Sequence, residues 1–236
     1  MTSAHHPAVI NAVKLMASIS AIYMNLSPMK DMTRVRANIP VDMLPILCMF
    51  MNGSMWTLYG VLVNNWFPLV ATNAIGVVLS GYYLIVMYTH AGLHRGAAAK
   101  KILTVVALVV FAILYAAYGT RMQTPHVATH VGYAGIGVSS LMVASPLASV
   151  GAVFKHKSAA SLPFTMISAG VACSFLWLSF GALINDMLVM APNAVNLALG
   201  LFQLSLCFMY PGPQAKIEEA PVAPTEIELA KKTLSE

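Results

Sequence analysis

The chain has 236 residues, 58% of them hydrophobic and only 9% charged, with a formal net charge of +5. An ordinary soluble domain is about a quarter charged. These charges are too few to cover a soluble surface of this size, which leaves an all-α polytopic membrane protein. The positive balance reads as the marking of loops on one side of a bilayer, so no nucleic-acid partner is expected.

Residues 1–8 form a short polar tail that lacks the basic start of a cleaved signal peptide. The first apolar run is therefore expected to act as its own insertion signal. It covers residues 9 to 28, close to bilayer-spanning length, and ends on Ser27 and Pro28. Lys14 lies one to two turns inside its start, where a lysine snorkels to the near interface. Residues 29–44 carry Lys30, Arg34 and Arg36 and read as a cytoplasmic loop. The second span, residues 45 to 63, holds Asn52, Trp56, Tyr59 and Gly60. A short aromatic turn without Lys or Arg follows and reads as external. The third span, residues 69 to 88, holds Asn73 and Gly76 and returns to the cytoplasm, where His90, His94, Arg95, Lys100 and Lys101 follow.

The fourth span, residues 102 to 118, is rich in Val, Ala and Leu and has no proline, tryptophan or asparagine. It reads as a linker. Residues 119–130 form an external loop with Arg121, His126 and His130. The spacing of the two histidines would suit a metal on a helix, but Pro125 between them argues against a helix. No metal or other cofactor is expected. The fifth span, residues 131 to 153, contains Gly132, Gly135, Gly137, Ser139 and Ser140, small residues that let helices approach closely in lipid. The sixth covers residues 163 to 184 and the seventh residues 188 to 210, with Asp186 between them. The tail, 211–236, is rich in Pro, Ala, Glu and Lys and is expected to be disordered and cytoplasmic. Of the 13 Lys and Arg, all but Lys14 and Arg121 then fall on the cytoplasmic side. The three cysteines, Cys48, Cys173 and Cys207, lie inside apolar runs and read as core residues rather than a disulfide framework.

The chain repeats itself. Pro28 and Pro45 recur 118 residues on as Pro146 and Pro163, Trp56 and Gly60 recur 121 on as Trp177 and Gly181, and Asn73 recurs 120 on as Asn193. Three residues are added between proline and tryptophan in the second copy, close to one helical turn. Agreement at five positions is an internal-repeat signal. The organisation is thus a three-helix repeat over 9–88, a linker with the fourth helix over 89–130, and a second three-helix repeat over 131–210. Three crossings would invert a directly joined second repeat. The fourth span restores its orientation, so the repeats are parallel and a binding site is expected between them near the midplane.

Ser145, Pro146 and Leu147, then Lys157 and Ser158, Leu162 to Phe164, Trp177, Gly181, Asp186, Pro192, Asn193 and Gln203 resemble the second repeat of the SWEET sugar transporters. Ser27, Pro28, Leu44, Pro45, Trp56, Tyr59, Gly60, Asn73 and Gly76 resemble the first. The resemblance covers residues 9 to 210. It implies a facilitative uniporter that moves mono- or disaccharides down their gradient in either direction by alternating access, and no enzyme activity.

A sugar offers hydroxyls at its edges and C–H faces above and below, and so suits amide partners and flat apolar plates. Asn73 and Asn193 are matched amides and Trp56 and Trp177 matched plates. Helix–helix hydrogen bonding is the alternative for the former, packing or interfacial anchoring for the latter. Asn52 and Cys173 lie one turn before each tryptophan, where the resemblance implies control of pocket size. Asn52 is larger than a serine, which favours a hexose over sucrose. The resemblance also implies that Met24 and Met142 line the cavity, that Pro28, Pro45, Pro146 and Pro163 hinge an inner gate, and that Tyr59, Gly60, Phe180, Gly181 and Asp186 form an outer gate. Phe180 lacks the hydroxyl of Tyr59, residues 64–67 lack a basic partner for Asp186, Thr72 stands opposite Pro192, and Asn196 stands where the first repeat has Gly76. The sequons at Asn25 and Asn52 lie in or at the inner end of spans, so glycosylation is not expected.

A proton-coupled carrier of the related PQ-loop group needs a titratable group along its path. Here the acids outside the tail, Asp31, Asp42 and Asp186, lie near the membrane faces. A seven-span receptor would not require the repeat. The resemblance implies homo-oligomers, trimers among them. The plasma membrane is the default location, with the N-terminus outside and the C-terminus inside, and an internal membrane is the alternative.

Overall fold

The computed structural model describes residues 7–159 and 162–210, except for the side chains of 144 and 145. The expected disordered tail, 211–236, lies outside the described residues, as do 1–6. The elements are α1 (Pro7–Leu26), α2 (Met29–Arg36), α3 (Leu44–Leu62), a tight turn at Trp66–Val70, α4 (Ala71–Thr89), a single turn at Gly92–His94, α5 (Arg95–Arg121), α6 (Val127–Met142), α7 (Ala144–His156), α8 (Phe164–Leu183) and α9 (Met187–Met209). No strand occurs among the described residues.

Each repeat is assembled the same way. In the first, α4 packs on both α1 and α3. In the second, α9 packs on both α6 and α8. The repeats then meet crosswise, α3 against α6 and α1 against α8. The linker α5 leans on α3, α4 and α6. Gly60 and Gly181 set the tight hairpins inside each repeat. A Cβ on Gly60 would lie 2.9 Å from Val70 Cγ2, and one on Gly181 would lie 2.8 Å from Met190 Cγ and 3.1 Å from its backbone nitrogen. Their closest neighbours thus belong to their own repeat rather than to the opposite one.

Several expected boundaries move. Residues 29–44, read as loop, open with the helix α2. Its charges misled the reading, but Asp31 in the first turn and Arg34 and Arg36 in the last suit the helix dipole. Met32 and Val35 bury one face against Tyr83 and Met87. The fifth span is two helices, α6 and α7, parted at Val143. Pro146 has no N–H, so the carbonyl of Met142 loses its normal helical donor. The first span breaks for the same reason at Pro28, where the Ser27 hydroxyl donates to the stranded Met24 carbonyl at 2.8 Å. The loop 119–130 is shorter than expected. Here α5 continues to Arg121 and α6 starts at Val127, so His130 is helical and its ring hydrogen-bonds Tyr115 at 2.6 Å.

Six of the helical stretches are long and apolar enough to cross a membrane, with α1–α2 and α6–α7 each counted as one. The seventh expected span, α3, is 19 residues long, carries Asn52, Ser54, Thr57 and Tyr59, and is not among those six.

The core has three main parts. One cluster joins both repeats at the end of the hairpin turns, with Ala17, Trp56, Tyr59, Leu69, Trp177, Phe180 and Val189. At the opposite end each repeat has its own cluster, around Tyr83 and Met87 in the first and around Val153, Leu162 and Leu206 in the second. A fourth cluster, Met55 and Val138 with Val109 of the linker, also joins the repeats; the end clusters are shared at the turn end and separate at the proline end.

Candidate functional site

A cavity of about 620 Å³ lies between the repeats, within the range of small-molecule sites. Met24, Asn52, Trp56, Asn73, Met142, Cys173, Trp177 and Asn193 all line it. The wall also includes Pro146 and Pro163 but not Pro28 or Pro45, so only the second repeat's prolines face the cavity.

The two asparagines are held alike. Asn73 Nδ2 donates to the Leu69 carbonyl and Asn193 Nδ2 to the Val189 carbonyl, each at 2.8 Å. Each bond goes to the preceding turn of the same stretch and fixes the amide. Each Oδ1, and one N–H, has no protein partner among the described residues. The alternative of helix–helix hydrogen bonding is thus not what these amides do here.

The tryptophans are likewise matched. Each stands at right angles to the aromatic ring three residues on: Trp56 to Tyr59 with centroids 5.6 Å apart, and Trp177 to Phe180 at 5.8 Å. Both tryptophan side chains are nearly buried. A Cβ on Gly135 would sit 3.2 Å from the Trp56 ring, so this glycine makes room for the plate. Asn52, one turn before Trp56, reaches across to the first helix of the other repeat, whereas Cys173, one turn before Trp177, lines the cavity. Asn52 Oδ1 accepts from Ser139 Oγ at 2.7 Å. Trp56 Nε1 donates to the same Ser139 oxygen at 3.4 Å.

The turn end is closed. Tyr59 of the first repeat donates its hydroxyl to Asp186 Oδ2 at 2.7 Å. Asp186 also caps α9, its Oδ1 accepting from the backbone N–H groups of Leu188 at 3.0 Å and Val189 at 3.2 Å. A tyrosine is therefore the partner that the sequence did not supply as a base. Phe180, fully buried, fills the matched place on the other side without a hydrogen bond. Lys14 lines a small outer depression with Asp186.

Sequence reasoning missed one matched pair. Tyr83 donates its hydroxyl to the Asn25 carbonyl, and Gln203 donates Nε2 to the Pro146 carbonyl, both at 3.2 Å. The two lie 120 residues apart, like Asn73 and Asn193, and each braces a broken first helix from the third helix of its repeat. A tyrosine and a glutamine differ in shape and chemistry though both can donate, so residue identity hides the match. Tyr83→Phe is expected to cost about 1 kcal/mol, read as a fall of about 2–4 °C in the melting temperature of the detergent-solubilised protein. An unchanged melting temperature would show the brace to be idle.

A family described as sugar efflux transporter for intercellular exchange matches residues 11–93 and 129–215, which are the two repeats and leave out all of α5. The chain is 29% identical over 167 residues to "Sugar transporter SWEET1" of Drosophila pseudoobscura pseudoobscura, covering 71% of this chain and 73% of that one. It is 28% identical to "Sugar transporter SWEET1" of Rattus norvegicus, covering 80% and 84%. It is 25% identical to "Bidirectional sugar transporter SWEET12" of Oryza sativa subsp. japonica, covering 92% and 74%. Its fold matches a solved structure of a eukaryotic SWEET transporter with a TM-score of 0.75 at 24% identity, over 85% of this chain and 96% of that one.

Proposed function

The chain belongs to the sugar efflux transporter family to which the SWEET proteins belong, and is a sugar transporter rather than an enzyme; we propose that it is a bidirectional uniporter with its sugar site in the cavity between the repeats. The observation that carries the reading is the matched wall: one asparagine and one tryptophan from each repeat face a single chamber. The sugar ring lies between the Trp56 and Trp177 plates, its hydroxyls on the free groups of Asn73 and Asn193. A single hexose ring is favoured beside the plates, where Asn52 and Cys173 narrow the chamber.

Transport follows from rocking one repeat against the other. Closure of the Tyr59–Asp186 end with the proline end parted corresponds to an inward-facing state. The edge-on contacts from Trp56 to Tyr59 and from Trp177 to Phe180 join the load to the outer gate. The prolines weaken the first helices of both repeats at the inner gate, with Pro146 and Pro163 on the cavity wall itself. The N-terminus lies outside and the C-terminus in the cytoplasm, because that places Lys30, Arg34, Arg36, Lys100, Lys101, Lys155 and Lys157 inside. The protein resides in the plasma membrane as a homo-oligomer.

No Asp, Glu, His, Lys or Arg lines the cavity among the described residues. Coupling to protons needs a titratable group on the path, so transport is uncoupled. The test is uptake of radiolabelled glucose into cells lacking their own sugar carriers, with and without a protonophore. Uptake is expected to equilibrate and to be indifferent to the protonophore. Uptake that collapses with the proton gradient would point to the coupled carrier. No uptake by protein present at the cell surface would sink the substrate assignment.

A further inference from the structure

Two more amides face the cavity outside the matched set. Asn25 near the end of α1 and Asn196 in α9 both line its wall. The positions that correspond to them by repeat are Val143 and Gly76. Each repeat thus supplies one extra amide, but from opposite members of its helix set: the first repeat from its first helix, the second from its third. The exchange is spatially compensated. A Cβ added to Gly76 would meet Asn25 Nδ2 at 2.9 Å, so Asn25 fills the space beside α4 that a side chain there would occupy. The second repeat has Asn196 itself at the matched point on α9.

Both amides therefore lie at one level. Position 76 is three residues past Asn73, and Asn196 three past Asn193, which is about 4.5 Å along the helix toward the proline end. Their bonding also differs from the upper pair. Among the described residues, neither the Asn25 nor the Asn196 side chain has a hydrogen-bond partner in the protein. A half-buried amide that served packing would be tied to another helix or to its own backbone, because an unmade hydrogen bond costs more than a made one returns. These two amides are directed at whatever fills the chamber.

We propose that Asn25 and Asn196 form a second tier of hydroxyl contacts, which holds the second ring of a disaccharide whose first ring lies at Asn73 and Asn193. The inference rests on the sugar-carrier reading and extends it from one ring to two. The tier is read by competition. Glucose uptake is inhibited with maltose, which has a second hydroxylated ring, and with methyl glucoside, which lacks one. Two or so extra hydrogen bonds should let maltose inhibit at about tenfold lower concentration than methyl glucoside. Asn25→Val combined with Asn196→Gly installs the residues found at the matched positions, Val143 and Gly76. It should erase the maltose advantage while the methyl glucoside constant stays within about twofold. Asn196→Ala, run in parallel, avoids the helix cost of glycine and should weaken maltose alone. Equal inhibition by the two sugars in the wild type, or equal shifts of both constants in the variants, would overturn the second tier. Wild-type protein at the surface that takes up no glucose would overturn the carrier reading and the tier with it.

Discussion

Asn73→Ala and Asn193→Ala are each expected to lower glucose uptake at least about tenfold, with the protein present in the membrane at normal amounts. Each amide offers the sugar a free Oδ1 and one N–H, and two lost hydrogen bonds at about 1 kcal/mol each give a factor near thirty. The geometry separates this from a structural effect. Both amides bond within their own repeat, to the carbonyls of Leu69 and Val189, not to another helix. Truncation therefore removes no tie between helices and leaves an alanine, the best helix former. Uptake kinetics paired with surface labelling is the measurement. Variants that transport normally would remove these residues from the site, and variants that vanish from the surface would restore the helix-glue reading.

Tyr59→Phe is expected to raise the labelling rate of Cys173 by an impermeant thiol reagent from outside about tenfold. Cys173 lines the cavity, so it reports outward opening, and the test is run with Cys48 and Cys207 changed to serine. The physical basis is one bond. The Tyr59 hydroxyl to Asp186, at 2.7 Å, is a cross-repeat hydrogen bond at the closed end, and a bond to a carboxylate is worth about 1.5–3 kcal/mol. The ring itself is not at issue, because Phe180 is fully buried at the matched position. Asp186 keeps its cap bonds to Leu188 and Val189, so α9 is not unsettled. Labelling unchanged from the parent would mean that apolar packing alone holds the gate.

The helical architecture, the two repeats and the wall of the cavity were legible because apolar runs and the side chains that interrupt them recur at matched spacing. Asparagine, tryptophan and proline inside an apolar run each need a reason, and the same reason at two places makes a pattern. Helix boundaries were less legible. At α2 the charges outweighed the buried face of Met32 and Val35, which only tertiary packing reveals. The break at Val143 lies three residues before its cause, Pro146, because the missing N–H acts one turn back. The brace by Tyr83 and Gln203 was hidden because function there belongs to a donor atom, not a residue type. The partner of Asp186 was sought among bases and proved to be a tyrosine. Asn196 was noticed in the sequence as a departure, but its companion Asn25 emerged only when Gly76 showed the space it fills.

The polarity of α3 bears on biogenesis. α3 carries Asn52, Ser54, Thr57 and Tyr59 within 19 residues, and each lowers its affinity for lipid. Gly60 packs it tightly against the start of α4, with Val70 Cγ2 only 2.9 Å from where a Cβ would be. The two helices are therefore expected to enter the membrane as one hairpin. A chain halted before α4 has been synthesised should hold α3 less firmly in the bilayer than the full hairpin does.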